Sequence, residues 1–319
     1  MTASKTKKNH LQVGAQAPPP FPQPQPAPAS LPPPPPAQAR TLPRHDKPAQ
    51  HHRHYKRSVV YDAYDITHPP QHPGHGWTRF VCVSDTHCIR FPVPAGDVLL
   101  HSGDLTEHGT LKDLESSLDW LKSLSHPVKF FIAGNHDICL DPRFLEGGSH
   151  RKYRPRRVHD KDISDACRLV RSESLRRAGL YYVEHETVLY TTKGGKVYSI
   201  YGSPSSVIYH YNGAFQYPAG HGRALYDAVP PTTDILMTHS PAHGICDLTK
   251  HGAHGGCRDL ARRLEHSDLR HCRLHAFGHI HEGHRVETVG KSERNPSGRV
   301  CANAALPNVP LPVIVDLQD

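Results

Sequence analysis

The chain has 319 residues, enough for one large domain or two smaller ones, and a formal net charge of +8 at pH 7. Hydrophobic residues make up 36% of it, and neither a run of about 18 apolar residues nor a signal-peptide core is present, so we expect no membrane contact and no secretion. The eight cysteines include no C-x-x-C pair, which favours reduced thiols and a cytoplasmic location, with the nucleus as the alternative.

The positive charge is concentrated at the start of the chain. Residues 1–57 contain nine lysines and arginines against one acid, Asp46, and 14 prolines lie between Pro18 and Pro48. Polyproline favours an extended, solvated backbone with little to bury, so we predict a disordered, basic, proline-rich tail over residues 1–57. The alternative is a ligand for a proline-reading partner domain. Residues 58–319, the predicted domain, carry 29 basic and 29 acidic residues, and this neutral balance argues against specific nucleic-acid binding.

The first half of the predicted domain alternates apolar runs with an amphipathic helix. Three short runs predict buried strands at 80–83, 98–100 and 130–132. Between the second and third runs, four leucines recur on one face of a predicted helix over 110–124, and Thr110 with Asp113 predicts a capping box.

The second half continues this alternation. It predicts a polar loop, a helix that Gly179 ends, a hairpin around Gly194–Gly195, a strand, a helix and two more strands. In chain order these segments are 143–162, 164–179, 185–204, 232–240, 256–267, 273–281 and 312–318. Strands separated by amphipathic helices predict an α/β protein.

Five apolar runs each lead to side chains that could bind a metal ion. These blocks are Asp85-Thr86-His87, Gly103-Asp104, Gly134-Asn135-His136-Asp137, His239 and Gly278-His279-Ile280-His281. Each block alone has an ordinary alternative: a strand-end aspartate is often a turn residue, and the chain holds 28 histidines. Together they would meet outside the carboxyl ends of the strands.

The spacing and the donor types of these blocks suit a metal centre. Residues two apart in an extended segment point the same way, so Asp85 with His87, and His279 with His281, can each reach one place. A mixture of carboxylate, imidazole and amide suits Mn²⁺, Fe or Zn²⁺ better than Ca²⁺ or Mg²⁺. Asp104 is the natural shared ligand because a carboxylate can bridge two ions.

The five blocks resemble the signature of the calcineurin-like metallophosphoesterases, from about Phe80 to the end of the chain. The segments "GDLTEHGT", "IYGSPSS" and "FGHIHEGH" are similar to the metallophosphoesterase-domain-containing branch near the class III cyclic-nucleotide phosphodiesterases. The resemblance implies an α+β sandwich of four layers, αββα, in which helices flank two mixed β-sheets.

The resemblance also implies the ligand sets and the residue roles. Two divalent ions are expected, with the ligands in these sets: Asp85, His87 and His281 for one ion, Asn135, His239 and His279 for the other, and Asp104 for both. His136 would stabilise the transition state or protonate the leaving oxygen, and Asp137 would orient His136. His108 and His243 either line the pocket or lie on the surface, and His284 is a bystander or a pocket-rim residue.

The expected activity is hydrolysis of a small phosphodiester or phosphomonoester, with a cyclic nucleotide among the candidates. A hydroxide that bridges the two ions would attack phosphorus. One alternative is a Ser/Thr-type protein phosphatase, which is disfavoured because Glu107-His108-Gly109 stands where those enzymes carry Asp-Arg-Gly. Another is a catalytically silent metal-binding interaction module recruited through the tail.

Overall fold

The computed structural model describes residues 51–55, 57–146, 152, 154–208, 213–266, 269, 271–290 and 298–319, the first five by their backbone alone. Its first sheet contains the strands β1 (His51–Tyr55), β2 (Ser58–Ala63), β3 (Trp77–Val83), β4 (Val98–His101), β5 (Val128–Phe131), β6 (Leu180–Tyr182) and β15 (Val313–Gln318). Their order across the sheet is β1-β2-β15-β3-β4-β5-β6. The strands β3 to β6 run parallel, whereas β15 is antiparallel to both β2 and β3.

The second sheet is also mixed. It contains β7 (Glu186–Thr191), β8 (Val197–Ser203), β11 (Ile235–Thr238), β12 (Leu274–Phe277), β13 (Arg285–Val289) and β14 (Arg299–Asn303). In the order β13-β14-β12-β11-β8-β7, the four central strands are parallel and the two edge strands antiparallel. The short strands β9 (Ser206–Val207) and β10 (Gln216–Tyr217) pair separately.

Five helices accompany the sheets in the described part of the chain: α1 (Leu111–Ser123), α2 (Asp160–Val170), α3 (Glu173–Arg177), α4 (Arg223–Asp227) and α5 (Arg258–Glu265). Short 3₁₀ helices lie at Ile138–Leu140, Pro142–Phe144 and His281–Gly283. Within the described residues, no helix combines the length and the apolar character needed to cross a membrane.

Three apolar clusters place the sheets and helices in four layers, which confirms the predicted αββα fold. Side chains of both sheets meet in the central cluster, for example Phe80 and Leu100 of the first with Met237 and Leu274 of the second. A second cluster joins the outer face of the first sheet to α1 and α2. A third joins the outer face of the second sheet to α4 and α5. The helices therefore cover the outside of both sheets.

The strand β4 shows why the central strands are apolar along their whole length. Val98 and Leu100 belong to the cluster between the sheets, whereas Leu99 belongs to the cluster under the helices. Successive residues of a strand face opposite sides, so a strand buried on both sides needs apolar residues at consecutive positions.

A buried ion pair joins β3 to β15. Arg79 donates from Nε and Nη2 to the carboxylate of Asp316, at 2.8 and 2.7 Å, and its remaining donors reach the carbonyl oxygens of Pro70 and Gln71. Burial raises the pKa of Asp316, while the Arg79 guanidinium opposes this rise. Because the guanidinium directs its donors at acceptors on every side, the pair fixes the register between the two strands without leaving a bare charge.

Two helix predictions are corrected. The helix predicted over 164–179 is two helices, because Ser172 interrupts it and caps α3 by accepting a hydrogen bond from the Leu175 N–H. The capping box of α1 is half formed: Thr110 accepts from the Asp113 N–H, but the Asp113 carboxylate accepts from the His108 N–H rather than from Thr110.

The predicted tail falls mainly outside the described residues. Residues 1–50 lie beyond them, so disorder there stays a prediction. The last part of the predicted tail differs from the expectation, since β1 pairs antiparallel with β2, and every described residue belongs to one unit that begins at Lys47. The ordered backbone therefore starts before the predicted boundary at residue 57.

Candidate metal centre

The carboxyl ends of five strands bring the predicted ligands together. Asp85, Asp104 and Asn135 follow β3, β4 and β5 of the first sheet, while His239 and His279 follow β11 and β12 of the second. Backbone hydrogen bonds join neighbouring strand ends, from the Asp85 N–H to the Gly103 carbonyl (2.9 Å) and from the Gly278 N–H to the His239 carbonyl (3.1 Å). The site therefore lies where the same edges of the two sheets meet.

Three groups of donors in the described part of the chain have all their ligand atoms within 4.8 Å of one another. They are Asp85–His87–His281, His87–Asp104–His136 and Asp85–Asp104–His239. Five of the seven predicted ligands belong to them, and His136 joins one group although it was not predicted to bind metal. The groups share members, so they form one continuous cluster.

The first group has the geometry of a cation site. Nε2 of His87 lies 3.4 Å from Nε2 of His281, which in turn lies 3.2 Å from Oδ1 of Asp85. Nδ1 of His87 contacts the carbonyl of Thr106 at 3.3 Å and so carries the proton, which leaves a lone pair on Nε2. Two imidazole nitrogens beside a buried carboxylate oxygen are a donor set that suits a cation.

Oxygen atoms from the first sheet also surround His239, a member of the third group, which follows β11 of the second sheet. His239 donates from Nδ1 to the Ser102 carbonyl (2.9 Å), and its Nε2 faces Oδ1 of Asn135 at 2.9 Å and Oδ1 of Asp104 at 3.4 Å. Burial lowers the pKa of His239, but the Asp104 carboxylate outweighs burial and raises it to about 9. The oxygens around Nε2 thus require a positive charge, and a proton or a metal ion could provide it.

The Asp104 carboxylate lies between the His87 ring on one side and the His239 ring on the other. Its Oδ2 is 3.9 Å from Nε2 of His87, and its Oδ1 is 3.4 Å from Nε2 of His239. Burial would raise the pKa of Asp104, yet the surrounding histidines, His239 first, hold it well below its usual range. An ionised carboxylate with one oxygen toward each group is suited to the shared position that the sequence predicts.

The structure places His279 beside these groups but not inside them. Its ring stands edge-on to the His239 ring, with 4.9 Å between the centroids, and its backbone N–H donates to Asp85 at 2.9 Å. Burial lowers the pKa of His279 to about 4, so the imidazole is neutral at pH 7.

Close packing and unusual backbone shape the ligand loops. A Cβ added to Gly134 would collide with the Asp104 carboxylate, and one added to Gly278 would collide with Asp85, so only glycine fits at these two positions. The ligands themselves adopt left-handed backbone, with φ of 55° at Asp85, 54° at Asp104 and 68° at His279. Such conformations cost about 1–3 kcal/mol each in non-glycine residues and cluster at functional sites.

Two buried threonine–histidine pairs support the loops from below. Thr86 bonds His101 at 2.9 Å in the first sheet, and Thr238 bonds His275 at 2.8 Å in the second. The Gly103 N–H donates to Nδ1 of His101 (3.3 Å), so Nε2 of His101 carries the proton given to Thr86. The first pair links the loop between Asp85 and His87 to β4, and the second links β11 to its parallel neighbour β12. Sequence analysis missed these residues because nothing local distinguishes a supporting histidine from a ligand.

The residue that orients His136 differs from the expectation. Nδ1 of His136 donates to the Glu107 carbonyl at 3.0 Å, whereas the Asp137 carboxylate accepts from the N–H groups of Gly134, Leu105 and Thr106. Asp137 therefore holds the turn that carries His136 and does not touch its ring. Burial and the Asp104 carboxylate raise the pKa of Asp137 to about 6. Burial alone would lower the pKa of His136, but the Asp104 carboxylate outweighs this effect and raises it.

Two cavities open from the centre, and both are lined by Asn135 and His136. The first, the Arg157 cavity, has a volume of about 390 Å³ and is also lined by Glu107, His108, Ile138, Pro155, Arg157 and Gln216. The second, the Lys250 cavity, has about 310 Å³ and is also lined by Asp104, Thr249, Lys250, His251, His279 and His281. The metal ligands thus face mainly the Lys250 cavity.

A short finger, residues 248–254, carries Lys250 and His251 to the second cavity. Leu248 pairs with His254 at its base. The buried Asp247 carboxylate anchors it by accepting from the N–H groups of Gly244 and Gly256, both at 3.0 Å, and from Nδ1 of His254 at 2.7 Å. Burial alone would raise the pKa of Asp247, but these hydrogen bonds lower it.

The other three histidines considered in the sequence, His108, His243 and His284, have different surroundings. His108 lines the Arg157 cavity. His243 packs against His254, with 5.0 Å between ring centroids, and His284 bonds the Ala305 carbonyl at 2.9 Å, so His284 is a structural residue rather than part of the pocket rim. Sequence analysis missed Arg157 and the finger, which lie in polar loops without a residue pattern, and Gln216, which lies in the two-residue strand β10.

Comparison with known proteins gives a consistent result. The sequence model of the calcineurin-like phosphoesterase family matches residues 78–283. Metallophosphoesterase domain-containing protein 1 of Homo sapiens is 34% identical over 269 residues, which cover 80% of this chain and 74% of that protein. Probable rhamnogalacturonate lyase C of Emericella nidulans is 37% identical over 211 residues, 66% of this chain but 18% of that protein, so the chain spans under a fifth of this relative.

Among solved structures, the chain is similar to the protein TT1561 of Thermus thermophilus. The TM-score is 0.43 at 12% identity, and the alignment covers 71% of this chain and 88% of that chain.

Proposed function

The chain belongs to the calcineurin-like phosphoesterase family, and on this premise we propose that it hydrolyses a small phosphodiester or phosphomonoester with two divalent cations bound at the candidate metal centre. The observation that carries the proposal is the convergence of imidazole nitrogens from both sheets on the Asp104 carboxylate. A structural ion would need only one closed set of ligands, whereas this cluster extends to two open cavities.

The ligand sets follow the two groups around Asp104. We propose these sets: Asp85, His87 and His281 for one ion, Asn135, His239 and His279 for the other, and Asp104 for both. The mixture of nitrogen and oxygen donors favours Mn²⁺, Fe or Zn²⁺. When bound, such a pair of cations would supply Lewis acidity toward the phosphoester and lower the pKa of a water molecule.

The chain's own contribution centres on His136. Because Nδ1 is held by the Glu107 carbonyl, Nε2 is the nitrogen left for substrate. The backbone N–H of His136 also donates to Oδ1 of Asp104 at 2.8 Å, which fixes the residue relative to the ligands. We propose that Nε2–H donates its proton to the oxygen that leaves phosphorus. Asp137 acts indirectly, by holding the turn.

Turnover of bis-p-nitrophenyl phosphate by the full chain loaded with Mn²⁺ tests this function. We expect His136→Ala to lower kcat by about 100-fold or more for methyl phenyl phosphate, whose poorer leaving group needs a proton, and by less for bis-p-nitrophenyl phosphate, while metal content stays unchanged. His221→Ala is the matched control, because the His221 side chain is exposed and its Nδ1 contacts the Ala219 carbonyl. A fully loaded protein without turnover, indistinguishable from His136→Ala, would show that the centre is catalytically silent.

A panel of substrates tests which class of phosphoester the protein hydrolyses. Cyclic nucleotides, acyclic phosphodiesters and phosphomonoesters are compared at equal concentration with Mn²⁺, Fe²⁺ and Zn²⁺ in turn. We expect the preferred class to show the highest kcat/KM with each active metal, because selectivity among organic groups depends on the cavities of the chain and not on the ion.

A further inference from the structure

The two cavities occupy different positions relative to the reaction centre. Four ligand residues, Asp104, Asn135, His279 and His281, line the Lys250 cavity, so the reacting phosphorus belongs there. The Arg157 cavity touches the centre only through Asn135 and His136. A group that extends from phosphorus into the Arg157 cavity must therefore pass the His136 ring.

The proposed proton transfer from His136 determines on which side of phosphorus the leaving group lies. If its Nε2–H protonates the leaving oxygen, the organic group on that oxygen lies on the same side of phosphorus as His136. The attacking water then forms the new P–O bond and the P–O bond to the leaving group breaks, with its electron pair on the leaving oxygen, which takes the proton from Nε2. The water gives up one proton to solvent, and His136 is reprotonated from solvent.

The lining of the Arg157 cavity indicates which group it accepts. Arg157 is exposed and makes no ion pair within the described part of the chain, while the acid in the lining, Glu107, is directed at Nδ1 of His87 at 3.5 Å. Gln216, only 6% exposed, adds a polar side chain to the lining. Ile138 adds an apolar wall.

We propose that the Arg157 cavity is the leaving-group subsite, and that Arg157 selects leaving groups with a compact apolar body and a negative charge. This proposal rests on the proposed phosphoesterase function. Guanidinium groups bind carboxylate and phosphate oxygens through paired hydrogen bonds, so a phosphate or a carboxylate on the leaving group would satisfy Arg157. The Lys250 cavity then holds the group that stays on the phosphate.

The test uses two methyl aryl phosphodiesters whose leaving phenols have closely matched acidity, one neutral and one carrying a carboxylate. Arg157→Ala should lower kcat/KM for the charged substrate about fivefold, the size of an exposed charge interaction, and leave the neutral substrate within about twofold. Arg157→Glu should invert the preference, and Arg157→Lys should keep part of it. Arg156→Ala is the matched control, since Arg156 is exposed but does not line the cavity.

A third substrate tests the position of the charge. It carries the carboxylate on the retained alcohol and has the neutral leaving phenol, so Arg157→Ala should leave its kcat/KM unchanged. Equal effects of Arg157→Ala and Arg156→Ala, equal losses with neutral and charged leaving groups, or a selective loss with the third substrate would each overturn the subsite. Failure of the proposed function is distinguishable, because the wild-type protein would then hydrolyse none of the three.

Discussion

At the scale of single residues, the candidate metal centre consists of closely spaced imidazole and carboxylate groups that suit a cation. Both rings are partly exposed: His281 contributes Nε2 to the Asp85 group, whereas the His279 ring stands edge-on to His239. The two histidines are two positions apart in sequence, yet they lie beside different ligand groups. Their replacement therefore separates the two proposed ions.

We expect His281→Ala and His279→Ala each to lower the bound metal from two ions per chain to about one, because each removes an imidazole from a different set. Metal analysis of the purified variants measures the ratio. In a Co²⁺-substituted protein, the two variants should give different absorption spectra, since different ions are lost. His284→Ala, whose ring bonds the Ala305 carbonyl, should keep both ions. Two ions in both ligand variants would contradict the assignment.

The meeting of these side chains at the strand ends could be predicted from sequence because their chemistry and their place after apolar runs are both local properties. The role of Asp137 could not, because its carboxylate is satisfied by Leu105 and Thr106, about 30 positions away in the chain. Arg157 could not be predicted as a cavity residue for the same reason. Its neighbours Glu107 and Gln216 come from remote segments, and one arginine among several in a polar loop carries no distinguishing pattern.

At the scale of elements, the 248–254 finger depends on one carboxylate. Asp247 accepts two backbone N–H groups and one imidazole, so the finger's base is held largely by this one side chain. Its tip, with Lys250 and His251, lines the cavity in which the phosphoester is proposed to react. The stability of the finger and the binding of substrate are therefore connected through Asp247.

Asp247→Asn should lower the free energy of unfolding by about 1–3 kcal/mol at pH 7, because a neutral amide accepts these hydrogen bonds less strongly. The folded protein holds the pKa of Asp247 below its ordinary value, so this stabilisation is complete above the unfolded pKa of about 4 and is lost as pH falls through the folded pKa. Urea unfolding at pH about 7 and about 3 measures it. A difference from wild type that stays equal at both values would contradict the prediction.

Elements with a strong apolar pattern were predictable, and those that depend on remote partners were not. The strands β3, β4, β5, β11, β12 and β15 follow their apolar runs. By contrast, β2 was not predicted as a strand, and it is stabilised by pairing with β15, more than 250 positions away. The break between α2 and α3 was missed because Ser172 is compatible with either a helix interior or a cap, and the packing decides.

At the scale of the whole molecule, the folded part begins earlier than its composition suggests. Arg57 accepts at its carbonyl from the Gln318 N–H (3.0 Å) and from Arg273 (2.8 Å), and its guanidinium donates to the Asp319 carbonyl (3.2 Å). Basic residues occur throughout residues 1–57, so the sequence alone gives no boundary within this segment. Its last residues are nevertheless part of the first sheet.

Two deletions distinguish these boundaries. Removal of residues 1–50 should leave kcat and the melting temperature essentially unchanged, since β1 and Arg57 remain. Removal of residues 1–57 should lower the free energy of unfolding by about 2 kcal/mol or more, because β2 loses β1 and keeps only β15 as a partner, and the end of β15 loses the Arg57 hydrogen bonds. Calorimetry and turnover on both proteins measure this. Equal stability of the two deletions, or lost turnover without residues 1–50, would contradict it.

The left-handed backbone at Asp85, Asp104 and His279 has a consequence for how this protein could change under selection. At each position, a glycine would relieve a strained conformation, so a laboratory selection that scored only thermal stability would favour the loss of these side chains. A selection that scored activity would retain them against that pressure. Thermostable variants of this chain should therefore be sought in its helices and surface loops, and any variant that gains stability at these three positions should be suspected of having given up its chemistry.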